Sequence, residues 1–221
     1  MWETLAQKAV FTRAEGCSAR VFLDVVNWRD RIFRWRLKRL EAPERTRKGC
    51  SLQHAESVGL VYLERDHAHY LEIKDLAKRL KEEFGVKRVG MMSFVPEEEK
   101  QTPNWLVKKL DSGYFCKSDL NWHGWPVKEF EAFVDTPFDI LIDLELGPVL
   151  PLKFLVRASH AGMKVGPEHA EFSQDLDVRI VQEVEEDDEM EEVDVILQDP
   201  MESWRDHTKR TLEFLTHTQL Q

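Results

Sequence analysis

The chain is poor in the residues that would announce a specialised scaffold. Three cysteines, Cys17, Cys50 and Cys116, are odd in number, widely spaced and never in a C-x-x-C pair, which excludes a disulfide framework and a zinc ribbon. No apolar run approaches the roughly 18 to 20 residues that span a bilayer, and Met1 to Arg20 does not read as a secretory leader. The expected location is therefore cytoplasmic, with a peripheral position at a membrane as its variant. The devices that usually bind nucleotides or activate a nucleophile are missing too. There is no G-x-x-x-x-G-K-[ST] loop, no G-x-G-x-x-G after the first predicted strand, no G-x-S-x-G elbow and no H-E-x-x-H. No cofactor is expected on this ground.

What charge there is lies at two poles. The formal net charge is −10, but Glu183 to Asp194 alone carries nine acids and no base. Without that run the 221-residue chain is close to neutral. At the other pole, Arg20 to Lys48 holds ten Lys/Arg against the acids Asp24, Asp30, Glu41 and Glu44. Like-charge repulsion keeps the acidic run from folding on itself, so 183–194 reads as a solvated loop, with Val193 to Leu197 as an alternative hairpin strand.

From Val58 onward, short β-rich runs alternate with amphipathic stretches, which predicts an α/β fold: a largely parallel open sheet of five or six strands covered by helices. The expected strands are Val58–Leu63, Arg88–Val95, Tyr114–Lys117, Phe138–Leu144, Met163–Val165 and Leu176–Val184. Phe138–Leu144 is apolar on both faces, as a central parallel strand between helix layers must be. Helices are expected at Tyr70–Phe84, at Trp105–Leu110, at Val127–Val134, at Leu152–His160 behind Pro148 and Pro151, and after the Asp199-Pro200 cap. Residues 58–221 form one α/β domain in this reading, and residues 1–57 a basic helical extension. Within it, Val21–Leu40 is a helix with a wide apolar arc that includes Trp28, Ile32, Phe33, Trp35 and Leu37, while Arg31, Arg34 and Lys38 lie on the polar side. Ala42 to Gly49 reads as a linker.

In an open parallel sheet, ligands bind beyond the carboxyl ends of the strands. That rule selects Lys117 to Pro126, where Asp119 and His123 offer acid–base groups and Asn121, Trp122 and Trp125 offer hydrogen bonding and stacking. The same segment reads equally as a tight turn stabilised by Asp119 or Asn121. The rule also selects Asp143 and Glu145, two carboxylates on one strand face, able to divide acid and base roles or to pair with Lys164 or Arg157. A third segment, Met163 to Pro167, offers the Lys164 cation and a backbone approach at Gly166. His67 and His69, with His54 as a third ligand, sketch a metal site, but two histidines near a helix start read first as exposed loop residues, so no metal is expected.

The stretch KSDLNWHGWP, followed by FVDTPFDILIDLELGPVLPLKFLVRASHAGMKVG, resembles the core of an uncharacterised Bacteroidota family of small α/β proteins, a domain of unknown function. The resemblance covers roughly Val58 to Leu215 and implies a Rossmann-like fold and a bacterial cytosolic setting. More distantly, Phe138 to Gly166 is similar to the acceptor lobe of heptosyltransferase-like B-type glycosyltransferases. Those enzymes carry a glycine-rich turn after the first strand where this chain has Leu63-Glu64-Arg65-Asp66-His67, so that similarity implies a non-catalytic descendant.

Two functions follow as expectations. The first is a non-enzymatic binding or adaptor protein, with Arg31, Arg34 and Lys38 carrying the basic helix to an anionic membrane surface or a protein partner, and nucleic acid a weaker choice. The alternative is a small enzyme acting on a sugar-like or polar metabolite, with Asp119, His123, Asp143 or Glu145 at the strand ends.

Overall fold

The computed structural model describes residues 28–97, 102–106, 112–122, 124–126, 130–169, 171–181 and 200–217. The acidic run, His123, the segments 21–27 and 107–110, the start of the helix expected at Val127, the end of the strand expected to reach Val184, and the Asp199 cap lie outside the described residues. So does the side chain of Trp28.

The elements run α1 (Trp28–Arg39), β1 (Ser57–Leu63), α2 (His67–Glu82), β2 (Arg88–Val95), β3 (Ser112–Cys116), α3 (Glu131–Val134), β4 (Ile140–Asp143), α4 (Leu150–Ala158), β5 (Met163–Pro167), β6 (Val178–Ile180) and α5 (Pro200–His217), with single 3-10 turns at Lys117–Asp119 and Ser173–Asp175. The six strands form one sheet in the order β3-β2-β1-β4-β5-β6, every neighbouring pair parallel. The expected open parallel α/β fold is thus present, doubly wound, with its strand order reversing between β1 and β4.

Period-two alternation sorts the core into two layers. Val58, Leu60 and Tyr62 of β1, with Ile140 and Ile142 of β4, pack beneath α2 and α5, where Ile73, Leu80, Trp204 and Leu215 meet them. Val61, Met92, Phe94 and Leu141 face the other way, toward α3 and α4. On that side Phe138, which precedes β4 and does not belong to it, lays its ring over the paired glycines Gly59 and Gly90. A Cβ on Gly90 would come within 2.7 Å of Phe138 Cζ, and one on Gly59 within 2.9 Å of Phe138 Cδ2. The glycines are there for this close approach.

The helix at the N-terminal end is built into the body. Phe33 (3% exposed) and Leu37 (0%) pack on Leu150, Phe154 and Phe172, so α1 forms a further layer outside α4. Trp35, expected on the apolar arc, instead points outward at 53% exposure. Its side of the helix is the one α4 does not reach. Residues 42–49 have no regular structure, as expected of a connection, but they are held. Arg45 donates through Nη1 to the carbonyls of Ala161 and Gly162 at 3.0 and 2.8 Å, and through Nη2 to both oxygens of Asp177.

Candidate functional site

The order reversal leaves β1 and β4 side by side with their connections leaving in opposite directions, the place where a doubly wound sheet ordinarily receives its ligand. Here the chain's own side chains occupy it. After β1 come Glu64, Arg65 and Asp66. Asp66 caps α2, its Oδ1 accepting from the His69 amide at 2.8 Å. That carboxylate stands at the helix N-terminus, where a nucleotide phosphate would lie, and repels a phosphate from it. Arg65 reaches across to Glu145, donating to both carboxylate oxygens at 3.2 and 2.9 Å.

Beneath that bridge lies a second one. Lys153 of α4 donates through Nζ to Asp143 Oδ2 and to the Glu145 carbonyl at 3.2 Å. The Glu145 amide donates back to Asp143 Oδ1 at 3.1 Å. Burial raises the Glu145 carboxyl pKa against the opposing pull of Arg65. His169 and His207 complete the group, and burial lowers the pKa of both imidazoles. The void left among Asp143, Lys153 and His169 is about 10 Å³, the room of a single water. Asp143 and Glu145 do share a locality, as their spacing predicts, but their partners are Lys153 and Arg65. Lys164 donates to the Arg157 carbonyl, and Arg157 pairs with Asp175.

The loop after β3 is a closed turn. Asp119 Oδ2 accepts from the Cys116 amide at 2.8 Å, and Asn121 Oδ1 from the Trp125 amide at 3.1 Å. Gly124, at φ +85°, takes the left-handed conformation that the turn requires. The Trp125 ring packs inward against Phe154 and Phe33, with centroids 5.0 and 6.4 Å away. Trp122 is 62% exposed. The strands β2 and β1 stand between this loop and β4, an offset of about 14 Å at ordinary strand spacing. Asp119 and Asp143 therefore do not converge on one pocket.

Between the β3 loop and the start of α4 there is an open crevice of about 560 Å³. Phe94, Leu120 and Leu150 contribute apolar surface, Lys117 and Ser118 stand on one wall, and α1 supplies the other through Phe33 and Arg34.

The histidines expected in a loop lie in the first turn of α2. His69 is fully buried, edge-on to Tyr62 and Trp204, and His67 rests against Tyr70 and Trp105. His54 instead bonds with Ser51. Among the described residues no group of three or more His, Cys, Asp or Glu is placed to hold a metal ion. Of the basic residues on α1, Arg34 and Lys38 both pair with Glu171, Lys38 at 3.0 Å, while Arg31 is exposed.

Sequence reasoning missed Lys153, Arg65, Glu64, His169 and His207. A signal existed for Lys153 alone: it is the one charge inside the apolar run of α4, LPLKFLV, and a lone cation there needs a buried anion. Glu64 is buried at the end of β1 beside the Trp105 indole, and burial, opposed by that indole, raises its pKa to about 7.

These features define a doubly wound parallel α/β protein whose switch point is sealed by two ion pairs. The chain belongs to a family of unknown function, DUF6913, whose model matches residues 29–197 and so takes in α1 together with the whole sheet. No curated protein and no solved structure matches it. Among the described residues, no helix is long and apolar enough to cross a membrane.

Proposed function

We propose that this is a non-enzymatic binding or adaptor protein of the bacterial cytoplasm, in a Bacteroidota setting, that meets an acidic protein partner through the outward face of α1. The observation that carries the reading is the division of that helix. Its inner side is used within the fold at Phe33 and Leu37, and Arg31, Trp35, Lys38 and Arg39 recur along the outer side at helical spacing, all exposed. The Arg39 guanidinium lies 4.1 Å from the Trp35 ring centroid, which holds a flat aromatic and a cation together as one contact surface. Tryptophan and arginine are the residues that most often dominate protein interfaces.

A bilayer fits this helix less well. Interfacial helices bury an apolar face among acyl chains, and here that face is already against α4. Arg34 and Lys38 share Glu171, so Arg31 and Arg39 carry most of the free charge. The similarity to a glycosyltransferase acceptor lobe accords with a non-catalytic role, since Asp66 and Glu64 oppose an anionic donor at the switch point.

The test is a photoreactive residue in place of Trp35 in the full chain, crosslinked in cells. A discrete protein adduct whose yield falls with salt and with Arg31→Ser/Arg39→Ser is expected. Binding to phosphatidylglycerol vesicles or to RNA that depends on the same arginines, with no protein adduct, would replace the protein partner by that surface. An adduct indifferent to the arginines would remove the charge-based reading.

A further inference from the structure

We infer that the crevice between the β3 loop and α4 is a binding site for a small aromatic carboxylate, separate from the outward face of α1. The volume of about 560 Å³ lies within the range of roughly 300 to 1,000 Å³ typical of small-molecule sites. It opens at the carboxyl ends of β2 and β3, on the side of the sheet where this class of fold binds ligands, and is displaced from the switch point because Arg65 and Glu145 fill that position. The displacement is possible only because α1 packs on α4 and supplies the outer wall.

The lining selects the ligand. Phe33, Phe94 and Leu150, each largely buried, border the crevice and make its floor apolar, which suits a flat apolar body. Among the described residues that line the crevice, two cations stand at the rim from different elements, Arg34 on α1 and Lys117 after β3, against the acid Asp30. Arg34 shares Glu171 with Lys38, so that trio keeps a net positive charge. Lys117 is exposed and makes no ion pair among the described residues. The adjacent first turn of α4 has no acidic residue and no side-chain cap, so its dipole adds to the same sign. A carboxylate between Arg34 and Lys117, with its ring against Phe33 and Phe94, satisfies both halves of the lining. A neutral analogue satisfies only one.

The test uses the full chain, 15N-labelled, titrated with indole-3-acetate, 4-hydroxyphenylacetate and benzoate, and with indole-3-acetamide as the uncharged match. At least one carboxylate should shift the amides around Lys117, Ser118 and Arg34 and bind on the order of tenfold more tightly than the acetamide, the discrimination a charged hydrogen bond supplies. Lys117→Gln should weaken it by a similar factor, and Ser118→Trp should block it by filling the crevice. Both positions are exposed, and an unchanged melting temperature will show that the fold is kept. Arg31→Ser/Arg39→Ser should leave this binding intact, which separates the site from the α1 surface. No shift with any of the three acids at about 1 mM, equal binding of acetate and acetamide, or shifts confined to another face would overturn the inference.

Discussion

Lys153 Nζ lies 2.6 Å from Asp143 Oδ2, with the two side chains 3% and 1% exposed, so a helix and the central strand of the sheet are joined by an ion pair shielded from bulk solvent. The pair fixes where α4 sits over β4. Removing either partner alone leaves a buried, uncompensated charge, whereas removing both leaves a space that apolar atoms can fill. Lys153→Met or Asp143→Leu should each cost about 3 to 5 kcal/mol in urea unfolding, and the double substitution Lys153→Met/Asp143→Leu markedly less than their sum. Additive losses would mean the two groups act independently.

The ring of Phe138 makes a second specific demand. Gly90→Ala should destabilise by about 1 to 3 kcal/mol, because its Cβ would press on Phe138 Cζ. Phe138→Leu in that background should recover part of the loss. If Gly90→Ala alone is neutral, the close packing described for this seat is not what requires the glycine.

Buried titratable groups set opposing pH dependences. Burial, then Arg65, lowers the His69 pKa from 6.5 to about 4; the unfolded chain therefore binds the proton more readily, and this contribution to stability is full above pH 6.5 and lost as pH falls toward 4. His169 and His207 shift in the same direction. Glu64 is raised from 4.5 to about 7, so its contribution is full below 4.5 and lost as pH rises through 7. Glu64→Gln should accordingly stabilise the protein by about 1 to 3 kcal/mol at pH 8 and change it little at pH 5, measured by denaturant titration at both. An equal effect at the two values would show that Glu64 keeps its charge across the range.

The two sides of α1 should separate cleanly. Phe33→Ala is expected to cost about 3 to 5 kcal/mol, since the ring fills a buried space against Phe154 and Leu150. Arg31→Ser/Arg39→Ser should stay within about 0.5 kcal/mol. A comparable loss from both would make the outer side structural and remove its claim to a partner.

His67 and His69 face different surroundings, one against Trp105 and the other against Trp204, and cannot share an ion without moving α2. EDTA, or zinc added in modest excess, should leave the melting temperature in place. A fall with the chelator would point to a metal held elsewhere in the chain.

Much of the framework was legible in the order of residues. Val58-Gly-Leu-Val-Tyr-Leu63 and the apolar run before Asp143 are the near-continuous apolar runs of strands covered on both faces, and the spacing of Leu71, Leu76, Leu80 and Phe84 predicts α2, in which Leu76 and Leu80 are buried and Leu71 is exposed. These signals are local, so the strands and helices, and the parallel sheet they imply, follow from the sequence alone. The absence of a glycine-rich turn after β1 was equally plain. What only the tertiary structure decided is which distant groups meet. Asp143 had Lys164 and Arg157 as candidate partners, and Lys153 is the one that α4 turns toward it. Trp35 and Phe33, two residues apart, point to opposite sides of α1, and only the position of α4 decides which of the two aromatic rings is covered. His69 looked like a loop residue and became core because Asp66 starts α2 earlier than the hydrophobic pattern does. Charge pairing and burial depend on contacts between separate elements, 10 residues apart for Lys153 and Asp143 and 80 apart for Arg65 and Glu145, and a periodicity read along the sequence contains no term for those contacts.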